Sequence, residues 1–193
     1  MKAETDRTIR EYIPEQSQED GELLLPAFLD IWNVPENLLF LSFTQKPFDE
    51  HTVRTWFSNH LSIGGHYYAV VEGNSVISGI AVVKMNPVEG YELIGIGVRA
   101  GFKRQGIGSR LLGHVLCVAI DSGYSAIEAS VFADNADMLR LLLSLSFIPV
   151  GMEYNRRCDG TDILRLKRFL FSPGKQKGGT TWHSSGRQTA GAS

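Results

Sequence analysis

Cysteine is almost missing from this sequence: Cys117 and Cys158 are the only two in 193 residues. They sit in unrelated local contexts and build neither a disulfide framework nor a metal-ligand spacing, so the chain reads as a protein of a reducing compartment. An excess of basic charge is missing too. Nineteen Lys and Arg against 21 Asp and Glu leave a formal net charge of −2, which argues against a nucleic-acid binder that depends on phosphate contacts. No long apolar run exists. The greasiest stretch, Leu23 to Leu29, is interrupted by Pro26 and is far too short to span a bilayer. The start, Met1 to Arg10, has no apolar signal core, so the expectation is an unprocessed cytoplasmic protein without membrane contact. His51, His60, His66, His114 and His183 show no H-x-x-x-H pattern and no pairing with cysteine, and no metal is expected. Internal repeats and coiled-coil heptads are absent as well.

What is present is the composition of an ordinary globular chain, 43% hydrophobic and 21% charged, long enough for one domain with a continuous core. Residues 1–171 are expected to form that domain. From Ser172 to Ser193 the sequence turns to Gly, Ser, Thr, Lys and Gln with no acidic residue; such a segment cannot offset its ordering entropy and reads as a disordered tail.

Hydrophobic periodicity predicts the order β-α-α-β-β-β-α-β-α-β-β. Thr8 to Tyr12 alternates as a short strand. Leu23, Leu24, Ala27, Phe28, Ile31 and Trp32 recur at helical spacing, with Pro26 in an early turn or at a kink. Asp49 opens a second helix with Val53, Trp56 and Phe57 on one face. His66 to Glu72 and Ser75 to Met85 form a hairpin through Gly73-Asn74, followed by a strand from Tyr91 to Val98. Gly95 and Gly97 weaken that strand unless something approaches its backbone closely. A helix from Gly108 to Ser122 ends at Gly123, Ala126 to Val131 is a buried strand, and Asp134 to Leu145 is a helix. Phe147 to Arg157 and Thr161 to Phe169 close the sheet around Asp159-Gly160.

Between the Tyr91 strand and the next helix lies Lys103-Arg104-Gln105-Gly106-Ile107-Gly108. A strand, a basic glycine loop and a helix start make an anion site, because the first N–H groups of a helix lack partners and the helix dipole adds positive charge. Glycine lets the backbone approach phosphates closely. The alternative is a plain tight turn with solvated basic residues. Neither the dinucleotide fingerprint G-x-G-x-x-G nor the loop G-x-x-x-x-G-K-[ST] is present, so a different phosphate-bearing cofactor is implied.

These residues resemble the GNAT superfamily of N-acetyltransferases, whose coenzyme A loop reads [QR]-x-x-G-x-[GA], with Lys103 in place of the usual Gln or Arg. Asp134-Asn135-x-x-Met138 through Ser146-Phe147 resembles the second cofactor segment, in which Asn opens a helix that ends at Gly-Phe; here Ser146 stands for the glycine. The resemblance implies an α/β (α+β) fold with a mixed, mostly antiparallel sheet of about seven strands, splayed at its centre and flanked by about four helices. It implies acetyl-CoA as co-substrate and an amine acceptor. The cofactor contacts would be Ile96, Gly97, Val98, Lys103, Arg104, Gln105, Gly106, Ile107, Gly108, Ser109 and Asn135. The pantetheine arm would lie along the fourth strand by β-augmentation, accounting for its glycines.

Glu92, on that strand, matches the glutamate that lysine acetyltransferases use as a general base, and otherwise reads as an ordinary strand carboxylate. Asn135 contacts cofactor or only caps its helix. The tyrosine that many members place seven residues after that Asn, as acid for the leaving thiolate, is Leu142 here; Tyr154, Tyr91, Ser144 or water are the replacements, with Tyr154 placed first. Tyr154 reads equally as a packed aromatic. The missing tyrosine also fits a catalytically weak acyl-CoA-binding sensor. The identity of the acceptor, and whether the protein is a monomer or a homodimer, is not legible.

Overall fold

A computed structural model describes residues 7–14, 16–73 and 75–170; the expected tail from Ser172 lies outside the described residues. The strands are β1 (Arg7–Tyr12), β2 (Gly65–Glu72), β3 (Val76–Asn86), β4 (Gly90–Val98), β5 (Ala126–Phe132), β6 (Ile148–Glu153) and β7 (Ile163–Phe169). The helices are α1 (Gln18–Trp32), α2 (Pro35–Leu41), α3 (Glu50–Ser62), α4 (Ile107–Asp121) and α5 (Ala136–Ser144).

The strands form one sheet in the order β1-β2-β3-β4-β5-β7-β6. Every neighbouring pair is antiparallel except β4 and β5, which run parallel. Parallel neighbours need a crossover, and α4 supplies it.

Alternating side chains of the strands feed two cores. On one face Ile80 and Val82 pack with Phe28, Ile31, Trp32, Val53 and Phe57 of α1 and α3. On the other, Ala81, Val83, Tyr91, Leu93, Ile127 and Ala129 pack with Leu111, Leu112 and Val115 of α4 and with Leu142 of α5.

Local chemistry sets the helix ends. Ser17 accepts from the Asp20 N–H to start α1, Asp49 from the Thr52 N–H to start α3, and Asn135 from the Met138 N–H to start α5, each a side-chain N-cap. Pro26 lies inside α1. The fifth helix, α2, was not expected from the sequence. Its signal is Pro35 at the first helical position with Glu36 in the first turn, obscured because seven residues give too short a stretch for helical periodicity to register.

The closing hairpin is shorter than expected. β6 stops at Glu153 and β7 starts at Ile163, because Arg157 turns inward and is only 4% exposed. Its guanidinium donates to Leu39 O, Asp134, Asp159 and Thr161 Oγ1. It thereby ties α2, the start of the α5 segment and the β6–β7 turn together.

Candidate active site

The sheet splits where β4 and β5 part. They pair only at Tyr91↔Ile127, Glu92↔Glu128 and Leu93↔Ala129; one residue later β4 bulges. Val83 faces Leu93 and Val82 faces Gly95, which leaves Ile94 without an opposite number. Such a bulge bends a strand away from its neighbour, and the expected splay is present.

Beyond the split runs a cleft of about 770 Å³. Ile94, Ile96 and Val98 line it from β4 and Ser130 and Val131 from β5, and residues of α2 together with Gly106, Gly108, Ser109, Asn135 and Met138 complete the lining. The Arg99 N–H donates to Ser78 O. By antiparallel alternation Gly97 bonds inward to β3, and Ile96 and Val98 turn their N–H and C=O groups to the open edge. The Val98 carbonyl already accepts from Asn37 Nδ2 at 2.9 Å, a partner on α2 that sequence reading missed.

The two strand glycines have a different reason from the expected one. A Cβ on Gly97 would lie 2.6 Å from Ile31 Cγ2 and 2.8 Å from Trp32 Cζ3, and one on Gly95 3.0 Å from Leu41 Cδ2. They are glycines so that α1 and α2 can lie flat on the sheet face, and the ligand-facing edge of the strand owes nothing to them.

The glycine loop follows a single 3-10 turn, Ala100–Phe102. Arg104 and Gly106 both take left-handed backbone, at φ 60° and 77°, which aims the chain into α4. Unlike α1, α3 and α5, α4 has no side-chain cap, so among the described residues its first N–H groups lack protein partners at the cleft. Gly108 has an ordinary helical φ, and a Cβ there would meet no protein atom within 4 Å. Packing gives no reason for glycine at a position that lines the cleft.

Of the other predicted contacts, Lys103 pairs with Glu36 Oε2 at 3.5 Å and joins the loop to α2. Ile107 is 2% exposed, its side chain belonging to the core and only its backbone to the cleft. Gln105 does not line the cleft: its side chain accepts from Arg7 and donates to Gly101 O. Asn135 lines the cleft and caps α5 through Oδ1 at 3.1 Å, so both of its expected roles are compatible.

Glu92 lies immediately before the split, on the sheet face away from α4. A smaller cavity of about 220 Å³ there is lined by Lys84, Glu89, Glu92, Glu128 and Lys167. Burial holds the Glu92 carboxyl above the usual carboxylate range, opposed by Lys84 and Arg165 and reinforced by Glu128 and Glu89. It accepts no hydrogen bond from the described residues, so a proton taken there displaces no existing partner.

The replacement acids fare worse. Tyr154, expected to serve the reaction, is 70% exposed in the β6–β7 turn and lines neither cavity. Tyr91 is buried under α4, its hydroxyl without a partner among the described residues and held above its ordinary range by that burial. Ser144 donates to Leu141 O at the exposed end of α5. Leu142 is fully buried, so the core has taken the place of the usual tyrosine.

The uncapped start of α4 opens on the split between the parallel strands β4 and β5. The chain belongs to the GNAT acetyltransferase family, whose sequence profile matches residues 25–147, and it is an acyltransferase enzyme. Solved structures agree in fold. An N-acetyltransferase from Staphylococcus aureus is 21% identical with a TM-score of 0.67, covering 86% of this chain and 99% of that one. A ribosomal-protein-alanine N-acetyltransferase from Brucella melitensis is 24% identical with a TM-score of 0.67, covering 84% and 99%. A Salmonella typhimurium protein described as an acetyltransferase, solved with its cofactor acetyl-CoA, is 19% identical with a TM-score of 0.67, covering 87% and 96%. No curated protein sequence matches this chain. Among the described residues no helix is long and apolar enough to cross a membrane, and no cluster of His, Cys, Asp and Glu could hold a metal ion.

Proposed function

We propose that the protein transfers an acetyl group from acetyl-CoA to a primary amine of a small molecule or a protein by direct attack. The observation that carries this reading is the pairing of an uncapped, glycine-opened α4 with the one-sided edge of β4 along a single cleft. The first part fits a pyrophosphate and the second an amide-bearing arm laid down like an added strand. The acetyl-CoA held by the Salmonella protein of the same fold supports the choice of acyl donor.

Acetyl-CoA, when bound, supplies a thioester carbonyl carbon open to an amine, with the free thiol as second product. The chain's own groups do the rest. N–H groups at 106–109 hold the phosphates, assisted by Lys103 and Arg104. The Ile96 N–H and C=O and the Val98 N–H orient the arm toward the vertex of the split. Glu92, at that vertex, takes the proton of the attacking amine directly or through one water, and its raised proton affinity suits it to that task. Neither cysteine enters the cleft, in keeping with a route that needs no covalent enzyme intermediate.

The buried Leu142 favours a second reading, an acyl-CoA sensor with little turnover. Free-thiol release measured against a panel of amines separates the two: an enzyme releases thiol with at least one amine, whereas a sensor is stabilised thermally by coenzyme A and releases none. Gly108→Val tests the loop itself. It should weaken coenzyme A binding about 10- to 100-fold in calorimetry by filling the space phosphates need, without lowering Tm, since valine is the better helix residue.

A further inference from the structure

On the sheet face away from α4 and α5, strand register lines up a row of four charged side chains. Lys84 of β3 is opposite Glu92 of β4, Glu92 is opposite Glu128 of β5, and Glu128 is opposite Lys167 of β7. Neighbouring strands lie about 4.8 Å apart, so two carboxylates stand side by side at the point where the sheet begins to open. Like charges placed directly opposite destabilise a sheet, and a fold without a use for this pair gains nothing from keeping it.

The two carboxylates are held very differently. Glu128 accepts from Lys167 Nζ at 2.8 Å and from Arg165 Nη2 at 3.3 Å. Those hydrogen bonds, led by Lys167, pull its carboxyl below the usual range. Glu92 has no such partner among the described residues: the nearest cation in the row, Lys84, is engaged with Glu89. The groups facing Glu92 are therefore Lys84 from β3, Glu89 from the following turn, Glu128 from β5, and Arg165 and Lys167 from β7. Carboxylate pairs whose environments push them apart divide the labour of proton transfer between them.

We propose that Glu128 is a positioning residue for acetyl transfer, a negative charge pinned by Lys167 and Arg165 beside Glu92, so that Glu92 and not Glu128 receives the amine's proton. This rests on Glu92 as the base. In the step itself the N–C bond forms as the amine N–H bond breaks and a Glu92 O–H bond forms; the thioester C–S bond then breaks, and the leaving thiolate takes a proton from Glu92 or from solvent. Glu128 keeps its charge throughout.

The test is a carboxyl carbon-13 titration of the full chain with labelled glutamate, the Glu92 resonance being assigned by its loss in Glu92→Gln. It is run alongside the pH profile of kcat/KM. In the wild type, Glu128 should titrate below Glu92, a comparison that needs no variant to fold. In Glu128→Gln the Glu92 midpoint and the acid limb of kcat/KM should both move to lower pH, while Glu128→Asp, which keeps the charge, should hold both near the wild-type position. An unmoved Glu92 midpoint in Glu128→Gln, or a wild-type order with Glu128 above Glu92, overturns the proposal. Failure of the underlying reading looks different: Glu92→Gln would then keep its kinetics and its acid limb, and the proposal falls with it.

Discussion

The two halves of β4 are treated oppositely by the fold. From Tyr91 to Leu93 the strand is paired on both sides and carries Glu92 of the charged row; from Ile94 to Val98 it is bonded to β3 alone and offers backbone to a cleft. One extra residue, Ile94, separates them. The bulge keeps Leu93 and Ile96 on the same core face, so the strand changes partners without changing the side it packs. A single strand can thus present a charged side chain for chemistry just before the split and bare amides for recognition just after it.

Breaking the paired half should have the largest effect. Glu92→Gln is expected to lower kcat by about 100- to 10,000-fold with coenzyme A affinity unchanged, read by steady-state kinetics and calorimetry. The same variant should raise Tm at neutral pH. The folded carboxyl titrates above its unfolded value, so its ionised form costs stability above that window, and the cost vanishes as pH falls below the ordinary carboxylate range. A variant that loses turnover while gaining stability would set Glu92 apart from a structural residue.

In the open half, side chain and edge should separate. Gly97→Ala drives a methyl group into Ile31 and Trp32 and should cost about 1–3 kcal/mol by overpacking, seen as a lower Tm in a thermal melt. Ile96→Pro removes an N–H that faces the cleft, a change tolerated on a strand edge. Tm should fall less than in Gly97→Ala, by the trimming of a side chain packed on the α4 core, and coenzyme A binding should weaken by about 5- to 10-fold, the loss of one hydrogen bond. Equal stability losses in the two variants would erase the distinction between covered face and free edge. The smallest effect belongs to Lys84→Met. Losing a cation that lowers the Glu92 pKa should move the acid limb of kcat/KM to higher pH, the opposite direction from Glu128→Gln.

The sequence made the strand–loop–helix around Lys103 to Gly108 legible because glycine, basic charge and a change of hydrophobic period coincide there. Asn135 was singled out through family resemblance, as the residue that opens the second cofactor helix. Glu92 was found through family resemblance. Its neighbours Lys84, Glu128 and Lys167 were not, since a row across four strands is a fact of register that no local pattern contains. Arg157 carries no local signal of burial, because that burial depends on Asp134 and the Leu39 carbonyl arriving from separate segments. Gly95 and Gly97 carried a true signal of close approach that was attached to the wrong neighbour. α1 is distant in sequence, and nothing near the glycines names it.

The most direct test is a crystal structure with coenzyme A or a non-hydrolysable acetyl-CoA analogue. The account predicts the pyrophosphate on the N–H groups of residues 106–109, the arm along Ile96 and Val98, and the sulfur at the Leu93–Ala129 vertex with the Glu92 carboxylate within the span of one bridging water. A sulfur at the opposite end of the cleft, or an arm that leaves the edge of β4 unpaired, would contradict it.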